Sequence, residues 1–165
     1  MVGDDKRRNG ESPSDAALRI LQTHTVFTLA IAYQGEPHAV SLMYANEGFT
    51  LYWVSDPRSR HSLALAESPR ASITVAGHFT DFHDIEGLQG RGRVSKLGDK
   101  ATGSPGLQLL ADRYPFLQQF LSGPATLVRR LDLAAVYRFD PDELTLIDNA
   151  QGFGHKEAIE LPIHG

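Results

Sequence analysis

Seven consecutive residues, Ser55-Asp56-Pro57-Arg58-Ser59-Arg60-His61, bring together two arginines, two serine hydroxyls and a histidine. They follow the apolar run Phe49 to Val54 and lead into Ser59 to Glu67, a stretch rich in Leu and Ala. A strand-to-helix junction leaves the first N–H groups of the helix unpaired, so this segment converges donors and charge suited to a phosphate monoester. The same residues also read as a solvated charged loop with an ordinary serine N-cap. Their place directly after a hydrophobic strand, where a barrel rim would present them, favours the site.

A second cluster is Gly87-Leu88-Gln89-Gly90-Arg91-Gly92-Arg93. Its spacing is not G-x-G-x-x-G, and it lies inside a strand pattern with no helix after it, which excludes a dinucleotide fingerprint. Glycines flanking Gln89 would let a flat ring approach its amide, and a plain β-bulge is an equal reading. His78, Asp81, His83 and Asp84 match no zinc spacing and read as a polar loop, so no metal is expected. No G-x-S-x-G elbow is present, which removes support for a hydrolase triad. The segment Asp148 to Lys156 reads as a surface turn, or as an aromatic and a cation, Phe153 and Lys156, that could cover a bound ligand.

These side chains need a frame to hold them. Residues 1–13 carry mixed charge without apolar periodicity and read as a mobile tail, leaving 14–165 as one domain. Ser14 is placed to cap a helix ending near His24. From Val26 the period becomes two: Val26 to Tyr33 and Ala39 to Tyr44 form a hairpin, and Phe49 to Val54 adds a third strand of a meander. A short helix, Ser59 to Glu67, leads to a strand over Ala71 to Val75, and a longer strand runs from Ile85 to Leu97. Leu107 to Leu121 has helical spacing broken at Tyr114-Pro115, which predicts two short helices. Ala134 to Phe139 and Glu143 to Ile147, separated by Asp140-Pro141-Asp142, predict a final hairpin. The fold class is mainly β (α+β), an antiparallel barrel with short flanking helices, since closing such a sheet removes its exposed edges.

The 165 residues contain no cysteine, which rules out disulfides and thiolate chemistry. A formal net charge of -4 gives no positive field to gather nucleic acid. No stretch approaches the ~18 apolar residues of a membrane span, so a cytoplasmic protein is expected.

The stretches G-E-P-H-A-V-S-L-M-Y, L-Y-W-V-S, R-S-R-H before S-P-R-A-S-I-T-V, and L-Q-G-R-G-R-V follow one another in an informative order. In that order the chain resembles the pyridoxamine 5'-phosphate oxidase-like FMN-binding split barrels. The ending D-N-A-Q-G-F-G-H-K resembles a small uncharacterised branch of that superfamily. The resemblance implies a split barrel of six to seven strands and a homodimer with FMN at the interface, acting on a small-molecule substrate as an oxidoreductase. It implies that Val40, Ser41 and Leu42 pass along the isoalloxazine and that Gln89 lies near the flavin. Ser55, Arg58, Ser59, Arg60 and His61 are then the phosphate grip. The family's lysine position holds His61, with Arg60 beside it. Because the superfamily also includes deazaflavin and haem binders, those are the alternative cofactors, in a protein that binds without turnover.

Overall fold

The computed structural model describes residues 10–162. The expected tail therefore lies largely outside the described residues. The first helix, α1 (Pro13–Thr23), starts one residue before the expected cap: Ser12 is the N-cap and accepts from the Asp15 amide. Proline at the first helical position needs no N–H partner, and this places the cap ahead of Pro13 instead of at Ser14.

Next come β1 (Val26–Tyr33), β2 (Glu36–Met43), β3 (Ala45–Glu47), β4 (Thr50–Ser55), α2 (Arg60–Glu67), β5 (Arg70–Ala76) and β6 (Glu86–Leu97). The insert α3 (Pro105–Arg113), α4 (Pro115–Ser122) and α5 (Ala125–Asp132) follows, then β7 (Ala135–Asp148) and β8 (Lys156–Ala158). Proline breaks the insert between α3 and α4 as expected, and α5 adds a third helix. Gln34 and Gly35, both at positive φ, make the tight turn of the β1–β2 hairpin.

The strands form one antiparallel sheet in the order β2-β1-β5-β6-β7-β4-β3, with β8 on β7. The two ends of this path, β2 and β3, are consecutive in the chain with only Tyr44 between them. The sheet must therefore curl until its ends meet at Tyr44, which gives the split-barrel architecture. Inward residues such as Phe27, Leu29, Leu51, Trp53, Ile73, Leu88, Phe139 and Leu146 fill the interior with Ile20 and Leu21 of α1. Trp53 stacks on Tyr137 with ring centroids 5.7 Å apart.

Two strand expectations are corrected. The three-strand meander does not form, because β4 pairs with β3 and β7 while β2 pairs only with β1. The final hairpin is instead one 14-residue strand. Pro141 is accommodated because the β6–β7 register shifts between Arg91 and Gly92, and a bulge is where a strand tolerates a residue without an N–H. Gly92 makes this possible: a Cβ there would lie 2.1 Å from the Asp140 carbonyl oxygen. None of the described helices is long and apolar enough to cross a membrane.

Candidate functional site

β3 covers β4 only over Thr50 to Tyr52, so among the described residues that edge of β4 has no partner strand beyond Tyr52, and the outer edge of β2 has none either. Both free edges open from the corner at Tyr44. They bound a split whose exposed N–H and C=O groups are ready to pair with something outside the sheet. Tyr114 fixes the apex, its hydroxyl donating to the carbonyls of Tyr44 at 2.5 Å and Thr25 at 3.0 Å. Helix α2 packs on β1 and β2 and begins just after β4 ends at Ser55.

At that junction the structure brings together Ser55, Ser59 and His61. The Nε2 of His61 shares hydrogen bonds with the Ser55 hydroxyl at 2.8 Å and the Ser59 hydroxyl at 3.1 Å. Ser59 is also the N-cap of α2, accepting from the Ser62 amide, and its hydroxyl donates to that of Ser62 at 2.9 Å. Ser55 and His61 are both buried. Burial pushes the His61 imidazole below its ordinary pKa, and nearby His38 pushes it further the same way. His61 is thus a neutral donor or acceptor at pH 7.

The arginines divide. Arg58 folds back on its own turn, its guanidinium 2.8 Å from Asp56, and these hydrogen bonds hold the Asp56 carboxyl down at about 2. Arg60 is exposed at the start of α2, with its guanidinium carbon 5.9 Å from the Tyr33 ring centroid. Of the two, Arg60 is the cation not engaged by a carboxylate.

On β2, Val40 and Leu42 are half-buried against the core, while Ser41 faces outward. His38 shares the parity of Val40 and Leu42 and interacts with His61. Sequence reading missed it, although counting back by two from Val40 would have found it. Gln89 is exposed on β6, in a shallow groove with Ser72, Thr74, Arg91, Glu143 and Thr145. Pairing sets a cross-strand row of Ser41, Thr28, Thr74, Gln89 and Thr145. Ser41 and Gln89 are three strand spacings apart, about 14 Å. Through β7, Ser55 lies nearly level with Leu97, eight residues or roughly 26 Å along β6 from Gln89, so one chain does not join Gln89 to the Ser55 cluster. Nδ1 of His83 lies 3.0 Å from the Asp81 carboxylate, and the His83 ring packs on that of Phe82.

A family model described as pyridoxamine 5'-phosphate oxidase matches residues 13–148, which spans the split, α2, Gln89 and the whole insert. The chain belongs to that family. It is 28% identical over 141 residues to a UPF0306 protein of Klebsiella pneumoniae, covering 84% of this chain and 86% of that one. Among solved structures it is similar to an FAD-binding protein from Mesorhizobium loti, with TM-score 0.56, 24% identity, and coverage of 78% of this chain and 88% of that one. It is also similar to a heme binding protein from Mycobacterium smegmatis, with TM-score 0.67, 19% identity, and coverage of 92% of this chain and 59% of that one. At these identities the structural likeness shows the shared fold.

Proposed function

We propose that this protein is a homodimer that binds FMN in the split between β2 and β4 and acts as an oxidoreductase on a small molecule. The observation that carries this reading is the donor set at the start of α2, at the end of that split. A phosphate monoester there would meet the hydroxyls of Ser55 and Ser59, the imidazole of His61 and the first amides of an eight-residue helix. Arg60 would add the full positive charge. Arg58, engaged with Asp56, has the smaller part. The donor set fits the phosphate, with neutral His61 relying on Arg60 for charge.

The unpaired backbone edge at Val40, Ser41 and Leu42 would face the flat ring. Gln89, about 14 Å across the sheet from Ser41, would serve the flavin bound mainly by the partner subunit. A bound flavin supplies hydride or electron transfer, and the chain orients it, anchors its phosphate and keeps water from one face. A deazaflavin would use the same phosphate anchorage. Haem is the second reading, favoured by the imidazole pair His38 and His61, since neutral imidazole is a ligand for haem iron.

The absorption spectrum of the purified protein, before and after incubation with FMN, separates these readings. A flavin spectrum supports FMN and a Soret band supports haem. A colourless protein that takes up no flavin would overturn the proposal.

A further inference from the structure

Away from the split, the structure has a cleft of about 840 Å³ between α3 and the outer faces of β4 and β7. None of the residues assigned above to flavin lines it. Its volume lies within the roughly 300–1,000 Å³ of small-molecule sites. The wall is firmly held. The Ala101 amide donates to the Ala134 carbonyl at 2.8 Å, and the Thr102 hydroxyl bonds Asp132. At Gly106, in the first turn of α3, a Cβ would meet Val136 at 2.7 Å and the Tyr52 ring at 3.1 Å. That turn therefore sits tightly on the sheet, and the Tyr52 ring is left as part of the floor with Leu97 and Leu109 alongside.

The charges lining this cleft are of both signs and are sorted along it. At one end Lys100 is exposed with no carboxylate partner among the described residues, and Ser104 caps α3 without a side-chain hydrogen bond to the helix. Arg138, directly across from Tyr52 on β7, lines the cleft beside that ring and engages Asp140 through Nε at 2.8 Å. At the other end stand Glu47 and Asp112. Arg113, next to Asp112, donates to Asn46, next to Glu47, and this places both carboxylates by the C-terminal end of α3. Asp112 is bonded by the neutral amide of Gln108 at 2.7 Å, and Glu47 by the Tyr52 phenol; among the described residues neither is in an ion pair. Burial, reinforced by Glu47, raises the Tyr52 phenol and keeps it protonated as a donor. Ser104 and Asp112 are eight positions apart on the helix, about 12 Å.

We propose that this cleft is a second binding site, for a small zwitterion whose carboxylate faces Lys100 and Ser104. Its ammonium faces Glu47 and Asp112, and a flat apolar body lies over Tyr52, Leu97 and Leu109. Opposite charges at opposite ends reject a molecule carrying one sign alone, since one pole then goes unmatched.

Titration calorimetry with 4-(aminomethyl)benzoate, benzoate and benzylamine tests this on the intact protein. The zwitterion is expected to bind about tenfold tighter than either single-charge probe. Asp112→Asn should bring its affinity down to that of benzoate, and Lys100→Gln toward that of benzylamine. Both side chains are exposed, so neither variant threatens the fold. Leu109→Trp, which fills the cleft, should abolish binding. Equal affinity for all three probes, no binding of any, or zwitterion binding unchanged in Leu109→Trp would overturn the proposal. Saturating FMN should leave the titration unchanged, which separates this site from the split.

Discussion

The chemistry at the start of α2 depends on how a buried imidazole handles its proton. His61 is neutral in the fold because burial, and secondarily His38, depress its pKa. Above the ordinary imidazole value of about 6.5 both folded and unfolded chains hold it neutral, and it leaves stability unchanged. As pH falls below about 6.5 the unfolded chain takes up a proton that the folded chain declines, so stability drops until the folded imidazole titrates too. Urea midpoints of wild type and His61→Gln at about pH 7.5 and 5.5 measure this. The substituted protein should lose less stability on acidification, and an identical loss in both would show that His61 is not the group responsible. Arg60 makes a different contribution, as the one uncommitted cation of the set. Charge-assisted contacts to a phosphate are worth roughly 1.5 to 3 kcal/mol, so Arg60→Ala should weaken FMN about ten- to a hundredfold. Riboflavin, without the phosphate, should bind as before. Equal weakening of both flavins would move the phosphate elsewhere.

Two devices hold the elements to one another. Helix α1 has no basic residue in its last turn, and Arg113 of α3 supplies one from outside. Its guanidinium donates to the carbonyls of Leu21, Gln22 and His24 at 3.0, 2.9 and 2.6 Å, with its carbon 4.9 Å from the Tyr44 ring centroid. Arg113→Ala strands those carbonyls and should cost about 2 kcal/mol, read from denaturant unfolding. Lys, a point charge without the planar fork, should restore less than half. The second device is the β6–β7 bulge. Gly92→Ala forces a Cβ into the Asp140 carbonyl and should cost about 3 kcal/mol. Gly48→Ala is a control in open space, although at positive φ it carries a cost of roughly 1 kcal/mol. If the Gly92 variant were no less stable than the Gly48 one, the close approach would not be needed.

At the scale of the whole molecule, the outer face of the sheet carries mostly small side chains, Ser, Thr and Ala, with Gln89 and the Arg91–Glu143 ion pair at one side. Ser41, Thr28, Thr74, Gln89 and Thr145 form one cross-strand row, and Ala39, Ala30, Ser72, Arg91 and Glu143 form another. Such a flat, small-residue surface suits the isologous contact of a two-fold dimer, which would also bring Gln89 of one subunit to the split of the other. Thr74→Arg places two like charges in that contact. The scattering mass should then fall from twice 18.1 kDa to the single-chain value. A wild type that is already monomeric at micromolar concentration would sink both the dimer and the shared flavin site.

Local periodicity and turn chemistry were sufficient to read the β1–β2 hairpin, the strand at β5, the helix α2 to within one residue of its start, and the proline break between α3 and α4. These features depend on neighbours a few residues away, and so does the meeting of Ser55, Ser59 and His61. The pairing of β4 with β7, the long β7 and the approach of His38 to His61 depend on the curl of the whole sheet. Asp140-Pro141-Asp142 reads locally as a turn, and it became part of a strand because Gly92, far away in sequence, gives it room. The residue types by themselves determined a barrel and a donor-rich helix start, since both follow from short-range patterning. Tertiary structure alone decided that Gln89 and Ser55 lie apart in one chain, and that charges from β3, α3 and β7 face a common cleft. Those relations join residues that only the closed sheet brings near one another.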